Sequence, residues 1–264
     1  MVHVEVDGKV DARARLAGKL ADRFRSQLIG ITAWMPRPRP LIDPDSADKE
    51  VSYLSGVSRK QSEKFKSKVG IEGKRVELRS YREFPTDCIV REMRSADLLV
   101  IARDFGVNDP YLYPDTGAVI LKGGRPVLTV PPGIDELAAR HIVVGWKDTR
   151  EARRALYDAR PFLRNAERVI LTEICEQKSE VEDSQRRLRD VAKYLSHQGV
   201  SSVAERVFPM EGTVLSSLLH VVEDGSSDLL VVGAYGHNRF GEWIFGGLTQ
   251  ELMAHSPVCC LLSH

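Results

Sequence analysis

Two stretches of this chain repeat each other at one constant spacing, and that repeat limits its possible folds more than any other feature. Asp97-Leu-Leu-Val-Ile101 returns as Asp228-Leu-Leu-Val-Val232, and Pro126-Val127 returns as Pro257-Val258, both at an offset of 131 residues. Register kept across the whole intervening loop predicts two homologous domains in tandem. The length of 264 residues agrees, since single domains usually run to about 100–200. We place the first domain at 1–132 and the second at 139–264, either side of the Pro131-Pro132-Gly133 break.

Both halves alternate short apolar runs with segments of helical period. In the first, strands are expected at Val2–Val6, Leu28–Trp34, Arg75–Glu83, Asp97–Ile101 and Pro126–Val130. Helices are expected at about Ala12–Ser26, Glu50–Val69 and Thr86–Ser95, with a Pro-rich connection from Pro36 to about Asp48. In the second, strands are expected at His141–Trp146, Arg168–Glu173, Val203–Phe208, Asp228–Val232 and Pro257–Leu262. Helices there should span Thr149–Asn165, Val181–His197 and Thr213–Val222, with a last one beginning near Leu248. Strands alternating with helices predict the α/β class, here two tandem open parallel-sheet domains.

Composition excludes several functions. Thirty-eight basic against 37 acidic side chains leave a net charge of +1, which offers no electrostatic footprint for nucleic acid or an anionic membrane. Cys88, Cys175, Cys259 and Cys260 lack C-x-x-C spacing, so a disulfide framework or zinc site is not expected and a reducing cytoplasm fits. The opening Met1-Val-His-Val-Glu-Val-Asp-Gly8 has neither a basic start nor a long apolar core, and no apolar run reaches bilayer length. There is no His-Glu-x-x-His and no Gly-x-Ser-x-Gly, so the common hydrolase motifs are missing.

The most informative stretch follows Asp228-Leu-Leu-Val-Val. It carries Gly233, Gly236, Gly246 and Gly247, then Thr249 in a helix start. Glycines let a ligand approach the main chain closely, so that successive N–H groups converge on an anion. A helix opening near Leu248 would add its own donors. A Walker loop needs Gly-Lys-Ser/Thr and a Rossmann fingerprint follows the first strand, so neither applies. By itself the spacing equally suits turns between a strand and a helix.

With its flanking strand and helix, this stretch resembles the nucleotide-binding loop of the universal stress protein family: Gly, two residues, Gly, nine residues, Gly, then Ser or Thr. Gly233, Gly236 and Gly246 match, and Gly247 stands where the hydroxyl residue is usual, with Thr249 nearby. The resemblance covers nearly the whole chain. It implies a universal stress protein-like, adenine nucleotide alpha hydrolase-like fold in which the halves form an intramolecular pseudo-dimer around their final strands. It also implies ATP or a related adenine nucleotide as ligand, alone or with Mg²⁺, with the adenine near the backbone of Glu173 and Ile174. His237 and Arg239 lie within the loop and suit phosphate oxygens, or are simply exposed.

The halves differ where it matters. At the shared offset Gly233 faces Ala102, Gly236 faces Phe105 and Gly246 faces Asp115, which closes the backbone approach and adds negative charge. The family often has Asp-Gly-Ser after the first strand. The first half keeps Asp7-Gly8, whereas the second reads Trp146-Lys147-Asp148-Thr149. Lys147 then approaches phosphate and Asp148 a ribose or metal-bound water, or both are solvated. The expectation is a cytoplasmic stress-response protein that binds nucleotide in its second half without efficient hydrolysis, with no nucleic-acid or membrane partner and scope for tandem chains to dimerise. The alternatives are a nucleotide-free scaffold acting through protein contacts, and a phosphoryl-transfer enzyme on the same fold.

Overall fold

The computed structural model describes residues 1–6, 11–37, 44–70, 75–103, 109–201, 203–209, 212–236 and 247–264. They form two compact units, Met1–Gly123 with Pro132–Leu137, and Gly124–Pro131 with Ala138–His264.

The first unit runs β1 (Val2–His3), α1 (Asp11–Arg23), β2 (Leu28–Ala33), α2 (Pro44–Lys68), β3 (Val76–Tyr81), α3 (Pro85–Glu92), β4 (Leu99–Ala102) and α4 (Thr116–Gly123). Its strands pair in parallel in the order β3-β2-β1-β4. All six residues of β2 are buried, as expected of a strand covered on both faces. Pro85 sits in the first turn of α3, where a missing N–H costs nothing, and a 3₁₀ turn at Met93–Ser95 follows. Asp135 and Glu136, in the segment after the proline break, bind Arg15 and Lys19 of α1 at 2.8 and 2.5 Å.

The second unit begins with β5 (Val127–Val130), followed by β6 (His141–Gly145), α5 (Arg150–Asp158), α6 (Arg160–Leu163), β7 (Arg168–Cys175), α7 (Val181–His197), β8 (Val203–Pro209), α8 (Val214–Asp224), β9 (Leu229–Gly233), α9 (Gly247–His255) and β10 (Cys259–Ser263). The strand order is β5-β10-β9-β6-β7-β8. Every pairing is parallel except β5 with β10, an antiparallel contact that a purely parallel reading does not anticipate. Thr129 there faces Cys260, the residue one repeat later, so equivalent positions of the two sequence copies meet. Cys259 and Cys260 are fully buried and unbridged, packing as small apolar side chains.

The single helix expected over Thr149–Asn165 is divided into α5 and α6. Pro161 has no N–H to continue the ladder, and its ring crowds the carbonyl four residues back. That carbonyl, of Tyr157, accepts instead from Arg160 Nε at 3.2 Å. Among the described residues no helix is long and apolar enough to cross a membrane.

Candidate functional site

In the second unit β6 lies between β9 and β7, so the chain leaves the sheet in opposite directions from adjacent strands. Open α/β sheets bind ligands in the crevice that opens at such a switch point, beyond the carboxyl ends of the strands. Two segments border it: Trp146 to Thr149 after β6, and Ala234 to Gly236 after β9.

The β9 segment is tied down on both sides. The Ala234 N–H donates to the Ser263 carbonyl at 2.8 Å, and the Tyr235 N–H donates to Thr249 Oγ1 at 3.3 Å. Tyr235 has a φ of 58°, a left-handed conformation that is uncommon for a bulky side chain. Thr249 is 4% exposed, so its hydroxyl oxygen tethers the loop to α9. Gly247 opens α9 with free space on its Cβ side. His237, Arg239 and Gly246 lie outside the described residues.

Gly233 and Gly236 differ in their surroundings. A Cβ on Gly233 would stand 2.5 Å from both Ala152 N and the Glu151 carbonyl carbon. Gly233 therefore lets the first turn of α5 pack onto β9. Gly236 is exposed, and a Cβ there would make only ordinary contacts, with Glu151 Oε2 at 3.6 Å and the Thr149 hydroxyl oxygen at 3.9 Å. Thr149 caps α5, accepting from the Ala152 N–H at 3.3 Å.

Glu151 was not singled out from the sequence, because an acid in a first helical turn reads as a solvated partner of the helix dipole. Its side chain is only 3% exposed, and Oε1 accepts from Arg150 Nε at 3.1 Å. Burial raises its pKa, but hydrogen bonds from its own backbone N–H and the Thr149 hydroxyl, together with Arg150, outweigh that and hold it below the ordinary value. The carboxylate is charged at neutral pH.

On the other side of β6 is a cavity of about 490 Å³, within the range of small-molecule sites, lined by Trp146, Asp148, Arg153, Tyr157, Arg187 and Tyr194. Arg187 donates to Glu173 and to Ser184 Oγ, each at 2.8 Å, and the bond to Glu173 raises its pKa. Trp146 Nε1, Arg187 Nε and Glu173 Oε2 are buried with no hydrogen-bond partner among the described residues. Such orphaned polar atoms need an explanation, and an unseen ligand or water is one. Asp148 is paired with Arg153 at 2.5 Å, while Lys147 is exposed and makes no ion pair among the described residues.

Ile174 follows Glu173 in β7. That strand pairs with β6 up to Thr172, whose carbonyl accepts from the Trp146 N–H at 2.7 Å, and with β8 up to Cys175. Alternation along the strand turns the N–H and C=O of Ile174 toward the edge that β6 has left. The structure thus gathers Gly236, Lys147, Asp148 and Ile174 around the mouth of β6. The aromatic cavity went unnoticed in the sequence because its residues come from the segment after β6, from α5 and from α7.

No protein-family model matches the chain, and no curated protein does. Among solved structures, a universal stress protein from Archaeoglobus fulgidus superposes on 99% of this chain and 95% of its own length, with a TM-score of 0.71 and 14% identity. The chain has the universal stress protein fold. A functionally unknown protein from Pseudomonas aeruginosa is similar over 99% of this chain and 91% of its own, with a TM-score of 0.56 and 14% identity.

Within the universal stress protein fold, the first half handles the equivalent loop differently. Asp115, at the position of Gly246, caps α4: its Oδ1 accepts from the Ala118 N–H at 3.0 Å, and its own N–H donates to Thr86 Oγ1 at 2.9 Å. A carboxylate thus occupies the helix start where an anion would bind. Ala102, the counterpart of Gly233 in the repeat, ends β4, and Phe105 lies outside the described residues. Among the described residues no group of three or more His, Cys, Asp or Glu is placed to hold a metal ion.

Proposed function

We propose that this chain is a cytoplasmic universal stress protein that binds ATP or a related adenine nucleotide in its second domain, 139–264, without efficient hydrolysis. The first domain, 1–132, would be a degenerate partner. The observation that carries the reading is the crevice at the β6–β9 switch point, with the open backbone of Gly236 and the start of α9 on one side and the aromatic cavity on the other. The phosphate end would lie toward the glycine side, which the Glu151 carboxylate borders. The base fits the side of Ile174, Trp146 and the two tyrosines, where buried donors and an acceptor await partners. Efficient turnover would need a base, an ordered water and a metal ligand, and the residues offer no convincing base.

Calorimetric titration with ATP and Mg²⁺, followed by assay for ADP, tests this. We expect about one site per chain, little ADP, and a loss of at least about tenfold in affinity for Gly236→Val, whose branched side chain fills the approach to the backbone. Absence of binding would favour the nucleotide-free scaffold, a reading supported by the Glu151 carboxylate beside Gly236. Steady metal-dependent ADP release abolished by Gly236→Val would favour an enzyme.

A further inference from the structure

A glycine helps anion binding by leaving open the space where a Cβ would be, yet at Gly236 that space is bordered by a carboxylate. Glu151 Oε2 lies 3.6 Å from the Cβ position, and its side chain is 3% exposed. Arg150 reaches only Oε1, and with 70% of its own side chain exposed its charge is largely spread into solvent. In the first turn of α5, which includes Glu151, the Ala152 N–H is taken by the Thr149 hydroxyl oxygen at 3.3 Å. Gly233 lets that turn pack against β9, which brings the Glu151 backbone and Cβ close to the strand.

We infer that Glu151 is a specificity-determining residue that disfavours phosphate at Gly236, so that the site prefers adenosine and its monophosphate to the triphosphate. This rests on the nucleotide reading above. A unit charge about 5 Å from a phosphate, in a partly buried setting and partly offset by Arg150, changes affinity by about tenfold.

The test is titration of the full chain with adenosine, AMP, ADP and ATP in EDTA at fixed ionic strength, for the natural protein and Glu151→Gln, which keeps the side-chain volume. The natural protein should show no gain in affinity from AMP to ATP. In Glu151→Gln, ATP should tighten about tenfold, AMP less, and adenosine not at all. Equal ATP affinity in the two proteins, with the variant's unfolding midpoint unchanged, would overturn the inference while leaving the nucleotide reading intact, provided Gly236→Val still weakens binding. An equal gain for adenosine would overturn it too, since the effect would not follow phosphate charge. No binding of any of the four ligands by either protein would remove both readings.

Discussion

Replacing Gly233 by alanine isolates the packing role of this glycine from the ligand role proposed for Gly236. The added methyl would stand 2.5 Å from Ala152 N and from the Glu151 carbonyl carbon, and 2.9 Å from Glu151 Cβ. Ordinary contacts begin near 3.4 Å, so the overlap is about 1 Å against backbone that has no rotamer to yield. The first turn of α5, fixed by its Thr149 cap, must lift from β9 and carry the buried Ala152 and Ala155 with it. Overpacking of this kind costs about 1–3 kcal/mol. The stiffer unfolded chain returns about 0.4–1 kcal/mol, leaving a net loss of about 1–2 kcal/mol. Gly236→Ala meets nothing closer than 3.6 Å among the described residues and should stay within about 0.5 kcal/mol of the natural protein. Urea unfolding, read as a shift in midpoint at constant slope, measures both. If Gly233→Ala proved as stable as the natural protein, or less damaging than Gly236→Ala, the assignment of Gly233 to helix packing would be refuted.

Two further predictions concern the first unit. Glu92, whose side chain is 3% exposed, accepts from Arg79 at 2.7 Å and lies within 3.4 Å of Arg91 and Arg94, so Glu92→Gln should cost about 2 kcal/mol. Burial raises the Glu92 pKa, but hydrogen bonds from Arg79, Arg91 and Tyr81 outweigh it and set the folded value below the unfolded one. Its contribution should therefore be complete above about pH 4.3 and fade as pH falls through the folded value, a dependence the Gln variant loses. His3 is pushed down to about 3 by burial and then by the Arg13 charge, so it folds neutral while the unfolded chain takes up a proton below about pH 6.5. Stability should drop by about 2 kcal/mol from this group between pH 7 and pH 5, and chemical denaturation of His3→Leu should show that part of the slope removed.

Much of the fold was legible in the residues. Apolar runs such as Leu28–Ala33 and Leu229–Gly233 mark buried parallel strands because both faces of such strands are covered. The helix over Val181–His197 lies where its periodicity sets it. Pro161 could have shown the break between α5 and α6, but the apolar period running through it hid the signal. The helix at Thr116–Gly123 was missed, being short and lacking a polar face. In the site, the glycine pattern marked the segment that follows β9, since glycine spacing is a local property of the chain.

What the sequence determined by itself was therefore the order of elements, the repeat, and the loop that follows β9. Tertiary structure decided the rest: that β5 runs antiparallel to β10, that Gly233 makes room for a helix, that Glu151 borders Gly236, and that Trp146, Tyr157, Arg187 and Tyr194 line one cavity. The division has a physical cause. Backbone preference and hydrophobic period act between residues a few positions apart, whereas a site is made by side chains that meet only after the crossovers have brought distant strands together.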